Sequence, residues 1–257
     1  MRATGRRWVA RRAPAGALSV AVLTVAVLMV ACRGAEPPSA PPEGSRAVSF
    51  PSADGVRLAG RLIGEGSVAV VLSHMRPADQ RSWWSFSEDL ADAGYLVLTY
   101  DFRGYCPGGV GGCSAGERDL GEIWRDVLGA IDFVRSRGAR RVVLIGASMG
   151  GTASLVAAAQ EGVSVEAVIT LSAPASFEGM DLTPDVLTRV TAAKLFIAGT
   201  GDGQAAADAE RLYDLSPPPK RVEILTTDAH GTDILSSNQA GRARTLILQY
   251  LEQVAPP

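Results

Sequence analysis

The stretch V-V-L-I-G-A-S-M-G-G-T, residues 142–152, decides how the rest of the chain is read. Val142, Val143, Leu144 and Ile145 form an apolar, β-branched run of the kind buried on both faces of a parallel sheet. Residues 152–159 are rich in small side chains and read as a helix, so G-x-S-x-G falls on the turn between strand and helix with Ser148 at its apex. Gly146 and Gly150 suit a turn too tight for a Cβ, and Gly151 lets the helix approach. Alone the motif is a modest signal, since a glycine turn can carry an incidental serine. The strand before it and the helix after it argue for an exposed nucleophile.

Working outward, apolar runs of similar character recur at 68–73, 95–100, 167–171, 195–198 and 222–225, after two weakly alternating segments at 47–51 and 56–63. Helical patterns lie between most of them, at 83–93, 119–137, 149–160, 204–215 and 238–254. In the second, Leu120, Ile123, Trp124, Val127, Leu128, Ile131 and Val134 recur at three and four residues and make a single apolar stripe. Strand and helix in repeated alternation predict a mainly parallel central sheet with helices on both faces, whose chemistry gathers at the carboxyl ends of the strands.

A serine hydroxyl needs a base, and the 257 residues contain two histidines. His230 follows the last strand segment, R-V-E-I-L-T-T-D-A-H-G (221–231), in a loop before the final helix, which is the correct end of the sheet. His74 ends a much earlier strand. The base in turn needs a carboxylate to fix its tautomer. K-L-F-I-A-G-T-G-D-G (194–203) supplies Asp202 just past the penultimate strand, giving the order Ser148, Asp202, His230. Asp228, Glu178 and Asp181 are the competing acids, Asp228 being tethered by the strand that carries the histidine.

At this point the chain resembles the α/β-hydrolase family over nearly all of residues 47–254. Besides the triad pattern, L-S-H-M-R-P-A-D-Q (72–80) is similar to the family's His-Gly loop after the third strand, and L-T-Y-D-F-R-G (98–104) to its Asp-x-Arg-Gly turn. The resemblance implies an α/β-hydrolase fold with a minimal lid and no metal or organic cofactor. It also implies an oxyanion hole made by the backbone N–H groups of Met149 and Arg76, a structural role for His74, and a structural turn at Asp101 and Arg103. Met75 stands where the family usually has glycine, which leaves Met75 as the competing donor. The implied activity is a serine hydrolase of carboxylesterase type acting on small acyl esters through an acyl-enzyme. A peptidase or acyltransferase with the same triad, or a non-catalytic binding protein of this fold, are the alternatives.

The remaining segments bear on setting. The formal charge of −2 conceals five arginines within the first twelve residues, ahead of any acidic residue; without them 20 basic residues face 27 acidic ones. Such a body lacks the basic footprint of a nucleic-acid binder. An apolar run at 17–31 follows those arginines in a signal-peptide layout, and Met29-Val30-Ala31-Cys32 resembles a bacterial lipobox with Cys32 as the acylated residue. Residues 1–31 therefore read as a signal peptide, 32–45 as a lipidated cysteine and Pro-rich tether, and 46–257 as the folded domain, held at the extracytoplasmic face of a bacterial membrane. Cys106 and Cys113 bracket six small residues, and in an exported protein they are expected to form a disulfide rather than a metal site. Between Leu171 and the next strand, residues 172–191 leave room for one short helix as a lid. Phe177, Met180 and Leu182 there are either walls of a short-acyl pocket or core packing.

Overall fold

A computed structural model describes residues 40–105 and 113–257, together with Met1, Arg2 and Gly5. Contacts divide the chain into two units, Met1–Arg33 and Gly34–Pro257, and the architecture below belongs to the second. The apolar leader, Cys32 and Cys106 lie outside the described residues, and no described helix is long and apolar enough to cross a membrane.

The chain enters through β1 (Arg46–Pro51), β2 (Arg57–Ile63) and β3 (Val68–Ser73), then α1 (Trp84–Asp92) and β4 (Leu96–Asp101). It continues through α2 (Ile123–Ser136), β5 (Arg141–Ala147), α3 (Met149–Ala158) and β6 (Ala167–Leu171). After a two-strand hairpin, β7 (Ser176–Phe177) and β8 (Met180–Asp181), come α4 (Pro184–Arg189), β9 (Ala193–Gly199), α5 (Ala205–Leu215), β10 (Lys220–Leu225) and α6 (Ala240–Val254). Eight strands form one sheet in the order β1-β2-β4-β3-β5-β6-β9-β10. β1, β2 and β4 pair antiparallel, and every other neighbour is parallel.

The apolar runs become strands because each can bury both faces. In β3, Ala69 and Val71 point into one core with α2 and α3, while Val68, Val70 and Leu72 point into the other with α1 and α6. In β9, Phe196 and Ala198 join the first core, Leu195 and Ile197 the second. Each of the Val, Leu, Ile and Phe side chains buried completely is worth roughly 1.5–3 kcal/mol relative to exposure. The helix α2 turns Ile123, Val127, Ile131 and Val134 inward, with Leu120, Trp124 and Leu128 half-buried beside them, as the stripe predicts.

The structure also places the two family-like loops. Asp101 accepts from the Gln80 amide (2.9 Å) and the Gln80 side chain (2.6 Å), while the Arg103 guanidinium bridges Asp126 (2.7 Å) and Asp54 (2.8 Å). Burial pushes the Asp101 carboxyl up to about 7, and the Arg103 bond holds Asp54 down at about 2. Both residues of the turn are thus spent on holding the β4 exit against α2 and the β3 loop. Of the candidate walls, Met180 and Leu182 are fully packed into the first core, and Phe177 lies half-buried with the Arg76 guanidinium 5.8 Å from its ring centre. Met180 and Leu182 are therefore core residues.

Candidate active site

Four loops at the carboxyl edge of the sheet, those after β5, β6, β9 and β10, meet around one cavity. Ser148 sits between β5 and α3 with φ 49° and ψ −122°, a left-handed backbone that a non-glycine residue adopts only when its surroundings impose it. A Cβ on Gly146 would stand 2.3 Å from the Gly150 carbonyl, and one on Gly150 would stand 2.4 Å from the Ser73 carbonyl. The motif glycines therefore let β5, the β3 exit and α3 close on each other. The Ser148 amide donates to Leu171 O (2.8 Å), and its carbonyl accepts from Gly151 (2.8 Å), so the serine is fixed at both ends and half-exposed at the tip.

Asp202 and His230 arrive from adjacent strands. Beyond β9, Thr200 N donates to Leu225 O (2.8 Å) and Gly201 N to Thr227 O (2.9 Å), which carries the β9 exit alongside the β10 exit. Gly199 has no room for a side chain, since a Cβ would meet Thr227 O at 2.5 Å. The result is that His230 Nδ1–H donates to both carboxylate oxygens of Asp202, each at 2.9 Å. The Asp202 side chain is 12 % exposed and that of His230 41 %. The competing acids do not reach the ring: Asp228 is exposed with its Cα and Cβ against Gly201, Glu178 stands in the β7–β8 turn, and Asp181 accepts from Ser176.

His74 is built differently. It is fully buried, its Nδ1–H donates to Met75 O (2.8 Å), and its Nε2 accepts from Phe102 N (3.2 Å). Both nitrogens are satisfied by the neutral ring, and burial lowers its pKa to about 4. It also stacks edge-on to Tyr105 at 4.6 Å, so it pins the β3 exit to the β4 exit.

The amide of Met149, first residue of α3, has no acceptor among the described residues, as helix geometry requires. The same holds for the amides of Arg76 and Met75. The Met75 side chain is buried beneath the histidine loop, its sulfur 2.6 Å from where a Gly231 Cβ would stand, and Gly231 takes φ +55°.

Two participants escape a sequence reading. Ser172, the residue after β6, takes φ 56°, donates its amide to Ile197 O (2.8 Å) and accepts Gly231 N on its hydroxyl (3.0 Å). It therefore ties the β6 exit, the strand that leads to Asp202 and the histidine loop together. Asp233 follows in the 3-10 helix 231–236; burial raises its carboxyl above the usual carboxylate range while nearby His230 opposes the rise. The cavity itself is about 260 Å³ and is bounded by Ser148, His230, Asp202, Ser172, Pro174 and the chain from Gly203 to Asp208. Among the described residues no His, Cys, Asp and Glu cluster offers a metal site. Cys113 is disulfide-bonded.

The sequence profile of the α/β hydrolase fold family matches residues 68–208, and the chain belongs to that family. Solved structures with the same fold include an esterase of Pyrococcus furiosus (TM-score 0.66, 16 % identity, covering 82 % of this chain and 91 % of that one). A dienelactone hydrolase of Anabaena variabilis is similar at TM-score 0.66 and 24 % identity, over 82 % of this chain and 97 % of its own. A malate-bound esterase of Thermogutta terrifontis aligns at TM-score 0.64 and 18 % identity, over 81 % and 99 %. Epoxide hydrolase A of Mycobacterium tuberculosis is 38 % identical over 127 residues, which are 48 % of this chain and 37 % of that protein. The chain is thus an α/β hydrolase whose structural neighbours include esterases, and it spans well under half the length of this curated relative.

Proposed function

We propose that the protein is a serine hydrolase of carboxylesterase type that cleaves small acyl esters through Ser148, His230 and Asp202. The observation that carries this reading is the convergence of a strained, half-exposed serine and an Asp202-bonded imidazole on one cavity. Asp202 accepts from Nδ1 and so keeps Nε2 unprotonated, the state able to take the serine proton. Ser148 Oγ attacks the ester carbonyl, and the oxyanion is met by the amides of Met149 and Arg76. Its collapse expels the alcohol, protonated by the His230 imidazolium, and leaves the acyl-enzyme. Water, deprotonated by the same imidazole, then attacks the acyl carbon, and the second collapse returns the proton to Ser148.

The cavity volume of about 260 Å³ supports short substrates. We therefore expect kcat/KM along a nitrophenyl ester series from acetate to palmitate to peak at roughly six carbons or fewer, since each buried CH₂ is worth about 0.8 kcal/mol only while apolar wall remains. Ser148→Ala should abolish the whole series. A maximum at ten carbons or more would contradict the size argument, and undiminished turnover in the variant would contradict the mechanism.

The same reading places the domain outside the bacterial cytoplasm, tethered through an acylated Cys32, with Cys106 as the disulfide partner of Cys113. The signal-peptide layout of 1–31, the lipobox-like tetrapeptide and the bonded state of Cys113 support it. Intact mass of the exported protein tests both: an added diacyl group and no alkylatable thiol are expected, and a lipid-free product or two free thiols would refute the respective half.

A further inference from the structure

The cavity beside Ser148 has a charge that the triad does not use. Asp208 lines it, is half-buried, and makes no side-chain hydrogen bond or ion pair among the described residues. Asp202 is committed to His230, no lysine or arginine among the described residues lines the cavity, and Asp233 stands close enough to His230 to feel its charge. A substrate group entering this space therefore meets an unpaired carboxylate and no cation.

We propose that Asp208 makes this cavity selective for esters whose cavity-side group ends in a primary ammonium. The inference rests on the serine esterase reading and adds the substrate class to it. An ammonium has three donors to give, and the carboxylate of Asp208 accepts them in a partly desolvated space, where charge-assisted bonds are stronger than in water. A quaternary ammonium is disfavoured because it needs the faces of Trp, Tyr or Phe, and none of these lines the cavity among the described residues. The plain alternative is that Asp208 sits in the first turn of α5 to complement the helix dipole. That role affects the stability of α5 and leaves substrate choice untouched.

The test compares the full-length wild-type chain with Asp208→Asn, which keeps shape and removes charge. Two isosteric pairs cover both directions in which an ester can lie: 4-aminobutyl acetate against pentyl acetate, and ethyl 6-aminohexanoate against ethyl heptanoate. Acid release is followed by pH-stat. In at least one pair the wild type should favour the ammonium ester by about ten-fold in kcat/KM, a magnitude between an exposed and a buried ion pair. Asp208→Asn should bring that ratio close to one. A ratio near one in both pairs for the wild type, or a preference that survives in the variant, would overturn the proposal. A change in melting temperature with an unchanged ratio would assign Asp208 to the helix dipole and overturn it equally. No turnover of any of the four esters would remove the esterase reading itself, and the proposal with it.

Discussion

His74 and His230 end two strands of one sheet and differ in everything that follows. The His74 ring is sealed between Phe102 and Tyr105, with both nitrogens engaged and its pKa lowered to about 4 by burial. The His230 ring is part-exposed, bonded among the described residues only at Nδ1, and borders the cavity that Ser148 also borders. A histidine that must change charge each turnover has to keep one nitrogen free and a carboxylate on the other. One that holds two loops together does best when it never changes charge. On the proposed reading, the fold uses the same residue type for both tasks and separates them by burial.

The contrast is broken most severely by exchanging the base. His230→Ala should lower kcat/KM by at least 10³-fold, with Asp202→Asn somewhat less harmful because the acid acts through the ring. In His74→Gln the fall in melting temperature should dominate, with urea unfolding reading a loss of about 1–3 kcal/mol from two broken buried hydrogen bonds. Equal activity losses per folded molecule in the two histidine variants would erase the distinction drawn here.

A smaller effect sharpens it. His74 has an ordinary pKa of 6.5 when unfolded and about 4 when folded, so between those values the unfolded chain binds more protons and stability falls as pH falls. Asp101 runs the other way: its carboxyl rises from 3.8 to about 7 on folding, the folded state binds more protons, and stability falls as pH rises from 4 to 7. The two slopes oppose each other in the wild type. Asp101→Asn removes one, and its urea midpoint should then drop more steeply between pH 6.5 and 4 than that of the wild type. An unchanged pH dependence would mean that these buried groups do not titrate as their surroundings dictate.

What could be seen in the sequence follows from where a residue's role is written. The strands were visible because β3, β5, β6 and β9 bury both faces and so carry unbroken apolar runs. Ser148 was visible because the turn around it excludes a Cβ at both flanking glycines, and glycine spacing is a local signal. Asp202 and His230 could be nominated from their places after the last two parallel strands, but their 2.9 Å contact depends on Gly199 and Gly201 running against the β10 exit. Ser172 and Asp208 had no signature. Ser172 matters because its hydroxyl meets a backbone amide 59 residues away, and Asp208 because α5 begins at the cavity wall. The fate of Met180 and Leu182 was equally open, since an apolar side chain on a short segment suits a pocket or a core alike.

The most direct measurement is reaction of the purified chain with a fluorophosphonate, read as a mass shift on the peptide that contains Ser148. An activated serine displaces fluoride and keeps the phosphonyl group, whereas an ordinary hydroxyl is inert on the same timescale. One adduct per molecule, located on Ser148, lost in Ser148→Ala and strongly slowed in His230→Ala, is the result predicted. An unlabelled Ser148, or labelling that proceeds at the wild-type rate without His230, would contradict the claim that these two residues and Asp202 form a working catalytic site.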